Sequence, residues 1–449
     1  MLNRKGASIM SELTLGFFLI GALVTLVLFG MTIAVALFSV AFVGIWLIRG
    51  DIEIAMRMMH SAAYGGIADY IFATIPLFVL MGMLVSISNV GKDTFDVAES
   101  LLRRLRGSLG VATVAANAMF AAVTGVSVAS AAVFTKIAVP EMVRHGYTKT
   151  FAAGTVAGSS ILGMMIPPSV LMIIYGVLAE QSIGKLFIAG LIPGVVLAFG
   201  FAAVIMLMAT FTPHLVFVSG AASVAAAQKI PKLSAGQLGI KLFPISLLII
   251  LVLGGLYSGF FTPTEAGAVG ALGALLIALA RRTLGGGNLW KVLQETGAIS
   301  VGIMILLIAA SFYSKMISVA GVPQALGQLI QESGLGPYGF LTLYVVLVLL
   351  LGMIIDSSSI LLIMTPIAVP IATSLGFDLI HFGIVTVIAV EMGLLTPPFG
   401  LSVFTVKSAM NDPDVSVDSI FKGSLPFLAV MLFSLVLFAA FPILSLALI

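Results

Sequence analysis

Cysteine is absent from this chain of 449 residues, and charge is scarce, with only 9% Asp, Glu, Lys or Arg. The first absence excludes disulfides, thiol nucleophiles and cysteine metal sites, and leaves the compartment open. The second goes with 60% hydrophobic residues and a mean hydropathy of +1.22. No soluble domain hides that much apolar surface, so the chain reads as a polytopic membrane protein. Four scattered histidines and no His-Glu-x-x-His leave no metal-site spacing. A phosphate-binding Gly-x-x-x-x-Gly-Lys-Ser/Thr loop is also missing, so ATP-driven pumping would need a partner. Alternating ten-residue segments do not occur. That excludes a transmembrane β-barrel and leaves helices, whose backbone groups are satisfied internally. The net charge of +3 fits loops rich in Lys and Arg and implies no nucleic-acid partner. The first apolar run has no small-residue cleavage site and leads straight into another, so no cleavable signal peptide is expected.

What the chain does have is a repeat. Ile137-Ala138-Val139-Pro140 recurs as Ile367-Ala368-Val369-Pro370, and Pro167-Pro168 recurs as Pro397-Pro398, each 230 positions later. At the same offset Gly163 meets Gly393, Gly146 meets Gly376, Ser127 meets Ser357 and Gly91 meets Gly321. Apolar residues match easily by chance in such a chain; prolines and glycines in one register do not. Two copies of an interrupted apolar unit are the sequence pointer to a secondary transporter's binding site.

In chain order, apolar runs at Leu13–Phe29 and Met31–Ile48 are followed by a polar stretch with Asp51, Glu53, Arg57 and His60, expected to lie at the interface. Asp69–Asn89 is the next span and Gly91–Arg106 is amphipathic. Ser108–Val123 and Ala129–Val143 flank the break Thr124-Gly125-Val126-Ser127. Each arm of about 15 residues reaches roughly 23 Å, too short to cross comfortably, so the pair reads as a re-entrant hairpin. Tyr147–Met165 is then interrupted by Pro167-Pro168 and resumes over Ser169–Ala179. Leu191–Phe211, a polar loop around Gln228–Lys241, Leu242–Tyr257 and Pro263–Ala280 separate the copies. The second copy runs from Ser300–Val319 through the polar Pro323–Ser333 to a hairpin, Pro337–Ile355 and Ile360–Ser374, with Asp356–Ser359 at its tip. His381–Leu395 breaks at Thr396-Pro397-Pro398 and resumes to Met410, and Leu425–Ile449 is the last span.

Arg103, Arg104, Arg106, Arg144 and Lys149 flank the first hairpin, so its mouth is expected to face the cytoplasm. Glu332 and Asp378 flank the second, which is expected to face the other side. Lys229, Lys232, Lys241, Arg281, Arg282 and Lys422 agree with this tracing; Arg4 and Lys5 fall outside against it. The two copies are therefore expected to be inverted.

A hairpin tip meeting a broken helix exposes main-chain carbonyls and amides at mid-membrane depth, tolerated only around a cavity. Carbonyls at half-helix ends coordinate small cations. The candidate Na⁺ ligands are Thr124, Gly125, Ser127, Gly163, Ile166 and Pro167 at the first break, with Asp356, Ser357, Ser358, Gly393, Thr396 and Pro397 at the second. Asp356 is either a cation ligand or the N-cap of the arm that follows it. Glu391 is a weaker candidate on the span leading to the second break. Candidates for substrate contact are Ser159, Ser160, Ser169, Ser359 and Glu391. Small residues around Gly158-Ser159-Ser160 serve close helix packing equally well. Lys136, Lys315 and Lys407 are expected to snorkel to the membrane edge.

Thr124–Ser130, Pro140–Tyr147, Ile166–Ser169, Phe261–Ala266 and the run from His381-Phe382-Gly383 to Gly393–Pro398 resemble the large membrane subunit of tripartite ATP-independent periplasmic (TRAP) transporters. The first tip departs from the family's frequent pattern in lacking two further serines. The resemblance implies an all-α polytopic membrane protein with two inverted repeats, each with a re-entrant hairpin and a broken helix, working as an elevator-type transport domain against a scaffold. It also implies Na⁺-driven uptake of a small organic anion across the bacterial inner membrane. The implied partners are a small four-helix membrane subunit and a soluble periplasmic substrate-binding protein. The implied division is scaffold helices over 1–68; a first transport half over 69–190, with hairpin 108–144 and broken helix 147–179; and scaffold and cytoplasmic loop over 191–295. A second transport half covers 296–410, with hairpin 337–374 and broken helix 381–410, and a C-terminal scaffold helix covers 411–449. The rival readings are a single-component Na⁺-coupled anion symporter of similar design, a passive channel and a membrane-embedded enzyme. The last would need a nucleophile–base pair or metal cluster at one depth, and no histidine lies near a break.

Overall fold

A computed structural model describes residues 11–218, 232–285 and 287–449, and among them the chain is helical, with a single isolated β-bridge between Tyr147 and Phe217. Seven of the described helices are long and apolar enough to cross a membrane, or eight if the bent pair Lys149–Met165 and Val170–Leu178 counts as one span. Arg4, Lys5 and Lys229, used above for orientation, lie outside the described residues.

The expected elements form at or near the expected places, with several bounds corrected, the last span among them, which runs Val417–Ala440. Leu191–Phe211 is the outer part of a 29-residue helix, Ile183–Phe211, started by Ser182, whose side chain accepts from the Lys185 amide. Ser300–Val319 likewise belongs to Asn288–Val319, 32 residues long. Helices of about 44 and 48 Å overhang the hydrocarbon core, so polar first turns that hydropathy discards still belong to them. The expected loop around Gln228–Lys241 is helical from Ala235 onward, because Ser234 and Gln237 form a reciprocal capping box there.

Each copy of the repeat folds as two packed helical arms followed by a broken helix. The first hairpin comprises Ser108–Thr124 and Ser127–Arg144; the second comprises Gly336–Gly352 and Ser357–Ser374. The second tip is shorter than Asp356–Ser359, since Ser357, Ser358 and Ser359 already form the first helical turn. The first broken helix runs Lys149–Ser160, Leu162–Met165 and Val170–Leu178, bent by 43°; the second runs Leu379–Gly393 and Leu401–Met410. The breaks follow from proline chemistry. A residue before proline is pushed out of the α region, and proline brings no amide hydrogen to continue the ladder. Ile166 is accordingly extended (φ −83°, ψ 124°), and the helix restarts only where Ser169 caps Val170–Leu178. Both Pro-Pro peptide bonds are cis.

On one side, an ionic clasp ties the amphipathic Val90–Leu102 to its neighbours. Asp93 pairs with Lys241 at 2.8 Å and with Arg281, and Asp96 pairs with Lys241 at 2.5 Å.

Candidate ion-binding breaks

The two breaks share a plan and differ in burial. At the first, everything is enclosed: Thr124, Ser127, Ser169 and the stretch Ile161–Val170 are all buried. Gly125 takes the left-handed conformation (φ 64°) that ends the first arm. A side chain there would strike the Pro168 carbonyl, so only glycine lets the tip reach the broken helix. The contact is completed by the Val170 amide, which donates to the Gly125 carbonyl at 3.2 Å. Gly163 fits equally closely against the tip, since a Cβ on it would lie 3.0 Å from Ser127 Cα. Two other helices seal the site. A Cβ on Gly82 would lie 2.9 Å from the Thr124 carbonyl, and one on Gly190 would lie 3.1 Å from that of Met165. Thr124, Gly125, Ser127, Gly163, Ile166 and Pro167 are thus brought together as the sequence suggested.

The second break is open. Pro397, Pro398 and Phe399 are exposed, as is Asp356. A cavity of about 300 Å³ is lined by Gly352, Asp356, Leu394, Phe399, Leu401 and Phe404 among others. Asp356 is the N-cap of its arm. Its carboxylate accepts from the Ser359 amide at 3.2 Å and from the Ser359 hydroxyl. Gly393 sits against Gly352, where a Cβ would lie 2.7 Å from the facing Cα, so two backbones meet without side chains. Thr396 is half-buried, and its hydroxyl donates to the Met392 carbonyl at 2.8 Å.

The candidate substrate serines are placed differently. Ser159 and Ser160 are fully buried, and Ser159 accepts from the Asn117 amide at 2.6 Å while donating to the Thr155 carbonyl at 2.7 Å. Asn117 in turn accepts from the Ser130 hydroxyl at 2.6 Å. This network joins both arms of the first hairpin to the first broken helix, and sequence reasoning overlooked Asn117 and Ser130. The available signal was an amide in an arm otherwise made of small and apolar residues. Ser160 donates to the Ala157 carbonyl, and Ser169 caps the helix that follows it by accepting from the Met172 amide. Lys315 donates to Ser61 and Lys407 to the Asp412 carbonyl. Lys136 is exposed and lines a cavity of about 690 Å³ with Thr405, Ser408 and Asn411.

A buried polar contact joins the copies at the first break, besides the Tyr175 hydroxyl that donates to the Leu379 carbonyl at 2.7 Å between the two broken helices. Glu391, on the second broken helix, is fully buried beside Ser127 of the first tip. Neither carboxylate oxygen nor the Ser127 hydroxyl has any other hydrogen-bond partner. Among the described residues no cluster of three or more His, Cys, Asp or Glu assembles, so the oxygens gathered at the breaks are carbonyls, hydroxyls and single carboxylates. Such hard oxygen donors suit an alkali cation better than a transition metal.

The family model described as "Tripartite ATP-independent periplasmic transporter, DctM component" matches residues 20–444. The "C4-dicarboxylate TRAP transporter large permease protein DctM" of Pseudomonas aeruginosa is 35% identical, over 88% of this chain and 89% of that protein. The "Sialic acid TRAP transporter large permease protein SiaM" of Vibrio cholerae is 31% identical, over 90% of this chain and 92% of that one. Among solved structures, the Alcanivorax borkumensis YdaH transporter superposes with a TM-score of 0.58 at 14% identity, covering 86% of this chain and 89% of its own, a likeness of fold.

Proposed function

The chain belongs to the DctM component family of tripartite ATP-independent periplasmic transporters, a multi-pass protein of the bacterial inner membrane and a transport component rather than an enzyme, and from that membership we propose that it is the large permease of a Na⁺-coupled importer of a small organic anion. Its hairpins and broken helices form the moving part and the remaining helices the scaffold. A small membrane subunit completes the permease, and a soluble periplasmic protein delivers the substrate. The observation that supports Na⁺ coupling best is the first break: buried, sealed on two sides, and holding a Ser127 hydroxyl and a Glu391 carboxylate that have no hydrogen-bond partner beyond each other. Buried polar atoms without partners are costly, and a bound cation supplies what they lack. The open second break, where Asp356 lines a cavity among mostly apolar residues, is the second cation site in this reading.

The test is uptake into liposomes holding the permease and its small subunit, with the soluble receptor added outside. Labelled succinate and sialic acid are tried separately as probes, following the relatives' names. Uptake is expected only with receptor present and an inward Na⁺ gradient imposed. Equal uptake under a choline gradient would remove the Na⁺ coupling, and equal uptake without receptor would favour a single-component symporter.

A further inference from the structure

We propose that Glu391 supplies the single negative charge of a monovalent-cation site shared with Ser127, so that an ion bound at the first break ties the second broken helix to the first hairpin. This rests on the Na⁺-coupled reading above and assigns a charged ligand within it.

Glu391 is the only fully enclosed carboxylate among the described residues. An ionised carboxylate in such a place persists only if a cation or several donors compensate it. The protein offers neither a paired cation nor several donors, since one hydroxyl is the only donor beside its oxygens. The one histidine of the same helix, His381, lies ten residues away and bonds Ser445 at 2.7 Å. The neighbour it does have is the Ser127 hydroxyl, which is equally enclosed and has no other partner. Even with its hydrogen turned to the carboxylate, this hydroxyl keeps its lone pairs to offer. Close by, the first arm ends at Thr124, and the final carbonyls of any helix have no intrahelical donor. The polar groups that meet there are therefore oxygens, with one formal negative charge.

That count selects the valence. One carboxylate and neutral oxygens leave no net charge around a monovalent ion but a full positive charge around a divalent one, which burial disfavours. The placement carries a consequence for coupling. Ser127 is held against Gly163 of the first broken helix, and two residues beyond Glu391, Gly393 is held against Gly352 of the second hairpin. An ion between Ser127 and Glu391 therefore bears on all four elements at once.

The experiment uses the full-length protein in lipid nanodiscs, with thermal unfolding followed as NaCl replaces choline chloride at constant ionic strength. The stoichiometry of ²²Na⁺ binding is measured alongside. Wild type is expected to gain stability saturably with Na⁺. Glu391→Gln, which keeps the shape and removes the charge, is expected to bind one fewer Na⁺ and to need at least tenfold more Na⁺ for any remaining response. Ser127→Ala is expected to shift the midpoint several-fold in the same direction. If Glu391→Gln proves unstable, Glu391→Asp, which draws the charge back by one methylene, is expected to raise the midpoint instead. A Glu391→Gln protein with wild-type midpoint and stoichiometry overturns the assignment and leaves Na⁺ coupling standing. A wild type indifferent to Na⁺ overturns both.

Discussion

Thr396 and Thr124 each donate a hydroxyl hydrogen to the carbonyl four residues earlier, Met392 at 2.8 Å and Phe120 at 3.0 Å. Their donor is thus spent on the helix, while lone pairs stay available to a cation. For the half-buried Thr396 this gives a specific expectation. Thr396→Val keeps the shape and loses the oxygen, and a lost neutral ligand costs about 1–2 kcal/mol, or roughly tenfold in affinity. Uptake measured against Na⁺ concentration in reconstituted liposomes is expected to shift to higher Na⁺ with its maximum recovered by excess ion. An unshifted curve with a lowered maximum would assign Thr396 to helix geometry alone. At this scale the sequence was informative about backbone and poor about side chains. Glycine and proline act on their own residue, so Gly125, Gly163, Gly393 and both Pro-Pro pairs stand out unaided. What a serine hydroxyl touches depends on distant residues. Ser159 therefore turned out to bond Asn117 and Ser169 to cap its own helix.

Among the elements, the amphipathic helix Val90–Leu102 is held by the Asp93–Lys241–Arg281 clasp and also carries Glu99. Burial first, then the nearby Glu141 and Asp96, push the Glu99 carboxyl up to about 7. A carboxyl raised in the fold contributes its stability at low pH, and that contribution is lost as pH rises through the folded value. Glu99→Gln is therefore expected to match wild type near pH 5 and to unfold at higher temperature than wild type at pH 8, by thermal melts in detergent at the two pH values. A constant offset at both would show that Glu99 does not titrate between them. Orientation of the elements is tested separately, through the charge asymmetry between the two hairpins. The chain has no cysteine, so Arg104→Cys and Glu332→Cys each introduce a unique thiol. Inverted copies require labelling by impermeant reagent from opposite faces, and labelling from the same face would end that reading.

For the whole molecule, the proposed periplasmic receptor needs a docking face. The segments beside the second hairpin, Val322–Glu332 and Gly376–Asp378, offer one, with Leu329 and Glu332 exposed in the first. Charge reversals and bulky substitutions across both segments are expected to lower receptor-dependent uptake several-fold while folded protein, judged by gel filtration, stays constant. Unchanged uptake across the full scan would move docking elsewhere.

Helices, breaks and the repeat were determined by the sequence alone, for a local reason. An apolar run too long for a soluble domain must bury itself in lipid as helix, and a proline removes its own amide hydrogen wherever it stands. Tertiary structure decided the rest. That the first break is sealed and the second open depends on which helices lie over them: Thr74–Ile87 and Ile183–Phe211 cover one, and a cavity adjoins the other. That Glu391 meets Ser127 depends on packing between elements far apart in the chain, just as the second hairpin meets the second broken helix where Gly352 and Gly393 let two backbones touch. No periodicity records such pairings, because each belongs to the packing of two surfaces and to neither strand of sequence by itself.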